Sequence, residues 1–396
     1  MVSFAKRMDG ITGSIIREIF KLLADPEIIS FGGGNPAKES FPLETVKAIT
    51  REILDESGAG VLQYGTTEGY SSLPRSYITH IAQKKGLTNL KEDNILITCG
   101  SSQGLDLTAR VFVDPGDVVL VESPTFLGTL QMLNTYQAKL VPVRMDDEGA
   151  DINDLEEKVK KYRPKMFYVI PTFQNPTGKT LGRARRESIA RLAEKYDFIV
   201  MEDDPYGDLR YRGEPLPPIK SFDSCGNVVM LNSFSKILSP GLRVGVAVGD
   251  PAIIRKMTVA KQSNDAHTSN LTQAIADAFL KKGLLPGHLA EILPMYTRRL
   301  DAMLTGIDAY FPETFTHTSP EGGLFVWGEL AGGLDMPALL KAATSQAKVA
   351  FIPGQYFYLD PAAMGQNTMR LNFSAAAPER ITEGLERLGK LIKNAL

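Results

Sequence analysis

The chain has 396 residues, a net charge of −2, and 43% hydrophobic and 23% charged residues, the balance of a globular enzyme of two or three domains. That charge gives no reason to expect nucleic acid or an anionic membrane as partner, no apolar run approaches the roughly 18 residues of a transmembrane helix, and residues 1–9 carry no secretory h-region. Cys99 and Cys225 cannot build a framework of bridges, and His80, His267, His288 and His317 offer no metal-ligand spacing, so the expectation is a cytoplasmic enzyme without a metal.

In chain order, an arm leads into a helix with Ile15, Ile16, Ile19, Phe20 and Leu23 on one apolar face. Asp25-Pro26 ends it, and residues 28–31 predict a short strand entering a glycine loop. A helix is predicted over about 42–58. Strand-like apolar runs then alternate with helical stretches: 95–98, 118–121, 166–170, 198–201, 228–232 and 243–248, with a helix over 104–112. Short continuous apolar runs separated by helices predict a mostly parallel sheet covered on both faces. After about residue 283 the texture changes to a long helix, a few strands and a final amphipathic helix, a smaller α+β domain. The expected division is an arm with part of the small domain over 1–41, a large domain over 42–285 and a small domain over 286–396.

Polar or glycine-containing segments follow four of the runs: Gly100-Ser101-Ser102-Gln103, Gln174-Asn175-Pro176, Asp203-Asp204 and Ser233-Phe234-Ser235-Lys236. Ligands of open α/β sheets bind outside the carboxyl ends of the strands, so one pocket built from four crossovers is expected. Lys236 lies between two strand-like runs, with Ser233, Ser235 and Arg243 nearby to hold a phosphate. A lysine in such a place can be desolvated, or set beside another cation, and so poised to form an imine. Asp203 reads either as the carboxylate that keeps a pyridine nitrogen protonated or as a helix cap. Tyr206 and Asn175 can serve a phenolic oxygen, Phe126 can lie against a ring, and Gly100 to Gly104 reads as an anion site at a helix start. Two apparent nucleotide motifs fail. Residues 32–37 fit G-x-G-x-x-A but lack the strand–helix unit, and the P-loop-like ending Gly178-Lys179-Thr180 has Phe173 in place of the first glycine.

Taken together with Gln174-Asn175-Pro176-Thr177-Gly178, Glu202-Asp203-Asp204-Pro205-Tyr206, Ser233-Phe234-Ser235-Lys236…Arg243 and Arg370-Leu371-Asn372-Phe373, these segments resemble, in order and over nearly the whole chain, the class I/II aminotransferases of fold type I. Residues 14–18, 62–70 and 260–268 resemble the 2-aminoadipate and kynurenine aminotransferase subgroup. The resemblance implies pyridoxal phosphate held as a Schiff base on Lys236, which also moves the proton. It implies Asp203 at the ring nitrogen, Asn175 and Tyr206 at the phenolic oxygen, and Phe126 on the ring. Ser101, Ser102, Gln103, Ser233, Ser235 and Arg243 would surround the cofactor and its phosphate, with Tyr64 reaching in from the second subunit of a homodimer. Arg370 would take the substrate α-carboxylate, with Asn175 and Gly34 beside the substrate and Arg17 at its distal group. The family usually has tyrosine where this chain has Phe126, and the subgroup usually has leucine where it has Asn35. The implied reaction moves an amino group from an amino acid (2-aminoadipate, aromatic or branched aliphatic) to a 2-oxo acid, with 2-oxoglutarate the expected acceptor. Alternatives are another pyridoxal reaction, such as β-elimination or decarboxylation, and the effector domain of a pyridoxal-binding transcription regulator. A regulator needs a DNA-binding module of roughly 70 residues or more upstream, whereas the arm here begins almost at Met1.

Overall fold

Eight strands pair edge to edge in the spatial order Ile95–Thr98, Gly245–Val248, Val228–Ser233, Ile199–Asp204, Met166–Val169, Val118–Ser123, Lys139–Asp146 and Gly149–Ala150. The structure is a computed structural model describing residues 4–8 and 27–396. From Val228–Ser233 to Lys139–Asp146 every neighbouring pair is parallel; the pairings beyond, at both edges, are antiparallel. Strands such as Met166–Val169 and Gly245–Val248 are buried at every residue, which is why they read as unbroken apolar runs.

The period of two sends neighbouring residues to opposite faces. Val119, Val121, Tyr168 and Met201 join one hydrophobic cluster with Leu105 of helix Ser101–Phe112 and Met257 of helix Pro251–Gln262. Leu120, Phe167, Val169 and Val200 join another with Leu155 of helix Ile152–Tyr162 and Ile189 of helix Arg183–Tyr196. Strand Lys139–Asp146 was not expected from the sequence. It lies near the edge and alternates between buried and accessible residues, so it presents no continuous apolar run. The helix expected from Gly104 begins at Ser101, and the strand expected from Arg243 begins at Gly245.

A four-stranded antiparallel sheet, in the order Phe315–His317, Phe325–Leu330, Thr368–Asn372 and Ile352–Pro353, forms the C-terminal region. Its cluster includes Leu385 and Leu388 of helix Pro378–Ala395, together with Leu300, Met303 and Ile307. The last three belong to helix Leu284–Tyr310, whose earlier residues Leu285, Ile292 and Tyr296 pack with a cluster of the large sheet. One helix therefore serves both regions. Strand Ile29–Ser30 pairs in parallel with Val349–Ala350, so the segment after the arm belongs to the C-terminal region. Among the described residues no helix is long and apolar enough to cross a membrane, and none forms a metal-binding cluster.

Candidate active site

The carboxyl ends of the central strands surround a cavity of about 250 Å³ lined by Asn35, Ser101, Ser102, Phe126, Asn175, Asp203, Tyr206, Ser233, Ser235, Lys236 and Arg243, among others. The four polar segments singled out in the sequence thus reach one place.

Lys236 follows strand Val228–Ser233 in a tight loop. Phe234, Ile237 and Leu238 are buried around it, and Ser233 Oγ accepts from the Ser235 amide at 3.1 Å. The Lys236 ammonium donates to the Gly34 carbonyl at 2.7 Å. Its pKa falls to about 8, chiefly through burial and then through repulsion by Arg370 and Arg243. The environment therefore eases loss of the proton, which yields the nucleophilic neutral amine.

Asp203 is a residue of strand Ile199–Asp204, which removes the helix-cap reading. It is buried, accepts from the Tyr168 hydroxyl at 3.0 Å on Oδ2, and has no partner on Oδ1 among the described residues. Burial pushes its carboxyl up to about 7. A buried acceptor without a donor is uncommon in a finished interior and fits a site made for one.

Arg370, in strand Thr368–Asn372, is buried with one Nη donating to Asn175 Oδ1 at 2.9 Å and the other to the Gly32 carbonyl at 2.7 Å. Its Nε has no partner among the described residues. The guanidinium carbon lies 4.3 Å from the Phe325 ring centre and 5.0 Å from that of Phe357, and burial lowers its pKa to about 10. Such a cation, aromatic on two sides and still owed a hydrogen bond, is suited to a carboxylate. The Tyr206 pKa is raised by burial, with the nearby Arg370 and Asn175 side chains pulling the other way.

Gly100 opens the anion end of the cavity. Its φ of 74° lies in the left-handed region, and a methyl group there would collide with the Arg243 guanidinium. Glycine lets Arg243 lie against the start of helix Ser101–Phe112, where it donates to the Cys99 carbonyl at 3.1 Å. Free helical N–H groups, two hydroxyls and a guanidinium together suit a phosphate.

Two expected residues, Gln103 and Tyr64, stand apart from this cavity. Gln103 is not among the residues that line the cavity. Its Oε1 accepts from the Cys99 amide, and its Nε2 donates to Asn264 and Asp265, which ties two loops together. Tyr64 is 85% exposed, its ring edge against His267. Arg17 lies outside the described residues. The sequence reading overlooked Tyr168, Phe325 and Phe357 as neighbours of the functional groups. It also overlooked Glu122, a buried carboxyl raised to about 8 by burial. Glu122 accepts from the Ile170 amide and the Gln174 side chain beside the Asn175 loop. Tyr168 lies in the apolar run 166–170, and the pairing of its strand with Ile199–Asp204 brings its hydroxyl to Asp203.

The sequence profile described as aminotransferase class I and II matches residues 26–388. This chain belongs to the class I and II aminotransferases. It is 42% identical over 398 residues to aromatic-amino-acid aminotransferase 1 of Thermococcus litoralis, covering 99% of this chain and 94% of that protein. It is 38% identical to the 2-aminoadipate transaminase of Thermus thermophilus, covering 100% and 97%. Among solved structures, the kynurenine aminotransferase of Pyrococcus horikoshii, in complex with PMP, superposes with a TM-score of 0.94 at 43% identity over 99% of this chain and 97% of that one. The fold is that of the fold type I aminotransferases, the enzyme is a pyridoxal-phosphate-dependent aminotransferase, and pyridoxal phosphate is its cofactor.

The residues present fit that group. Asp203 Oδ1 is a buried acceptor without a donor among the described residues and would take a ring N–H, and Lys236 is an amine whose pKa is lowered to about 8 and would form the imine. The hydroxyls and the guanidinium at the start of helix Ser101–Phe112 make an anion cradle. When bound, the cofactor supplies the electron sink and the carbonyl carbon that takes up the amino group.

Proposed function

We propose that this aminotransferase moves the amino group of 2-aminoadipate and of aromatic or branched aliphatic amino acids to 2-oxoglutarate, as a homodimer in the cytoplasm. The observation that carries the reading is the buried Arg370 between Phe325 and Phe357, with its Nε unpartnered among the described residues. In this reading Arg370 and Asn175 fix the substrate α-carboxylate, and Gly34 leaves room for the substrate's passage. Lys236 forms the covalent link and moves the proton. Asp203 holds the ring nitrogen, Asn175 and Tyr206 the phenolic oxygen, and Phe126 packs on the ring. Ser101, Ser102, Ser233, Ser235 and Arg243 hold the phosphate. The accessible Tyr64, with Leu62 and Leu43 also exposed, supports a subunit interface through which Tyr64 reaches the partner's phosphate. Arg17 is proposed for the distal carboxylate of acidic substrates, and the division into residues 42–285 and 286–396, with the arm at 1–41, stands on the same footing. The aromatic-amino-acid, 2-aminoadipate and kynurenine enzymes among the relatives support the donor classes.

The test is a screen of amino acids for bleaching of the bound-cofactor absorbance in a single half-reaction, followed by identification of the 2-oxo acid released. Bleaching by 2-aminoadipate and by aromatic amino acids, reversed by 2-oxoglutarate, is expected. Bleaching by neither class removes the substrate assignment.

A further inference from the structure

Strand Ile199–Asp204 ends between two cavities. Asp203 lines the active-site cavity; Asp204, pointing to the other face, lines a second one of about 570 Å³. The loops alternate likewise: Asn175 and Tyr206 face the first cavity, Thr172 and Gly207 the second.

Five cationic side chains line the second cavity, against two carboxylates, Asp204 and Asp208. Those carboxylates are already engaged, since Lys85 bridges them at 2.9 and 3.0 Å. Arg186 is buried and spends its donors on neutral oxygens, the carbonyls of Leu181, Pro171 and Pro217 and the Thr172 hydroxyl. Arg210 holds Glu321 through Nη1 at 2.6 Å, lies 4.7 Å over the Phe173 ring, and has a side chain only 8% exposed. Its Nη2 is buried with no hydrogen-bond partner among the described residues. Leu216, Leu293 and a run of prolines supply an apolar wall. A buried guanidinium nitrogen with no acceptor is costly, and the cavity size is that of a small-molecule site.

We propose that this second cavity binds a small organic anion, bearing carboxylate or phosphate oxygens, with the Arg210 side chain turning its unpartnered Nη2 toward the anion as the principal donor and the prolines and leucines against its carbon body. The two sources of such oxygens are separable with two probes, citrate and pyrophosphate, titrated calorimetrically into the holoenzyme with and without saturating 2-oxoglutarate. Binding of either probe at one equivalent per chain, unaffected by 2-oxoglutarate, is expected. Arg210→Gln should weaken it about ten-fold or more, as the loss of a charge-assisted contact does. Because Arg210 also anchors Glu321, two further variants guard against a folding effect. Lys84→Gln, at the cavity margin, should weaken binding less, and Leu216→Trp should block it by filling the cavity while the cofactor absorbance stays as in the parent. No binding of either probe at millimolar concentration, displacement by 2-oxoglutarate, or unaltered binding in both Arg210→Gln and Leu216→Trp would overturn the proposal.

Discussion

Two lysine–aspartate sets lie back to back across one strand end. On one face Lys85 is held between Asp204 and Asp208, and Asp204 also accepts from the Gly207 amide at 3.0 Å. These carboxylates raise the Lys85 pKa against the opposing pull of burial. On the other face Lys236 has a carbonyl for partner, its pKa falls to about 8, and Asp203 keeps an oxygen unpaired with its carboxyl raised to about 7. The same residue types in equally buried places form a closed ion network where the charges are paired and are left available for chemistry where they are not. Paired ions lock each other's protonation; unpaired ones are left ready to change it.

The sharpest way to break this comparison is to neutralise each aspartate in turn. Asp203→Asn should keep the cofactor but lower turnover steeply, by about a hundred-fold or more, because an amide cannot hold a ring nitrogen protonated. Asp204→Asn should leave turnover within a few-fold and instead destabilise the protein by about 1–3 kcal/mol, since Lys85 keeps only Asp208. Steady-state assays and denaturant midpoints on both variants check this; exchanged outcomes would mean that the faces have been assigned backwards.

Removing room at the phosphate end should act next. Gly100→Ala forces a left-handed φ on alanine and pushes Arg243 away from the helix start. The expected result is a cofactor dissociation constant raised about ten-fold or more, with the fold retained. Equilibrium dialysis of the cofactor would show it, and parental affinity would separate Arg243 from the cradle.

Smaller, but specific in sign, is the pH dependence of the apoenzyme. Asp203 has a folded pKa raised above its ordinary value of 3.8, so the stability it contributes is complete below about 4 and is lost as pH rises through about 7. Lys236 has a folded pKa depressed from 10.5 to about 8. Its contribution is present above about 10.5 and is lost as pH falls through about 8. Asp203→Asn should therefore match the parent apoenzyme near pH 4 and exceed it by roughly 1–3 kcal/mol at pH 8. Denaturation at the two pH values measures the difference, and a variant less stable than the parent at pH 8 contradicts the unpaired carboxyl.

Much of this arrangement was readable in the sequence because it sits at the ends of continuous apolar runs, where a polar residue has few places to go. Asp203 and Lys236 come two and four residues after such runs. What escaped reading came from the period of two and from distant pairing. Asp203 and Asp204 are indistinguishable as letters, and their separation onto two faces depends on the pleat. Strand Lys139–Asp146 was missed because its accessible positions break the apolar run. The bond from Arg370 to Asn175 joins residues 195 positions apart, and Lys85 reaches Asp204 over 119; no local pattern announces either contact. Gln103 belonged to a legible motif, yet its side chain ties loops instead of lining the cavity.

The most direct measurement asks which buried lysine carries the cofactor. Borohydride reduction of the holoenzyme fixes the cofactor to the amine that holds it, and peptide mapping then locates the modified residue. A single modified peptide containing Lys236 is expected, with the peptide containing Lys85 unmodified. Label on Lys85, or on any lysine other than Lys236, would contradict it.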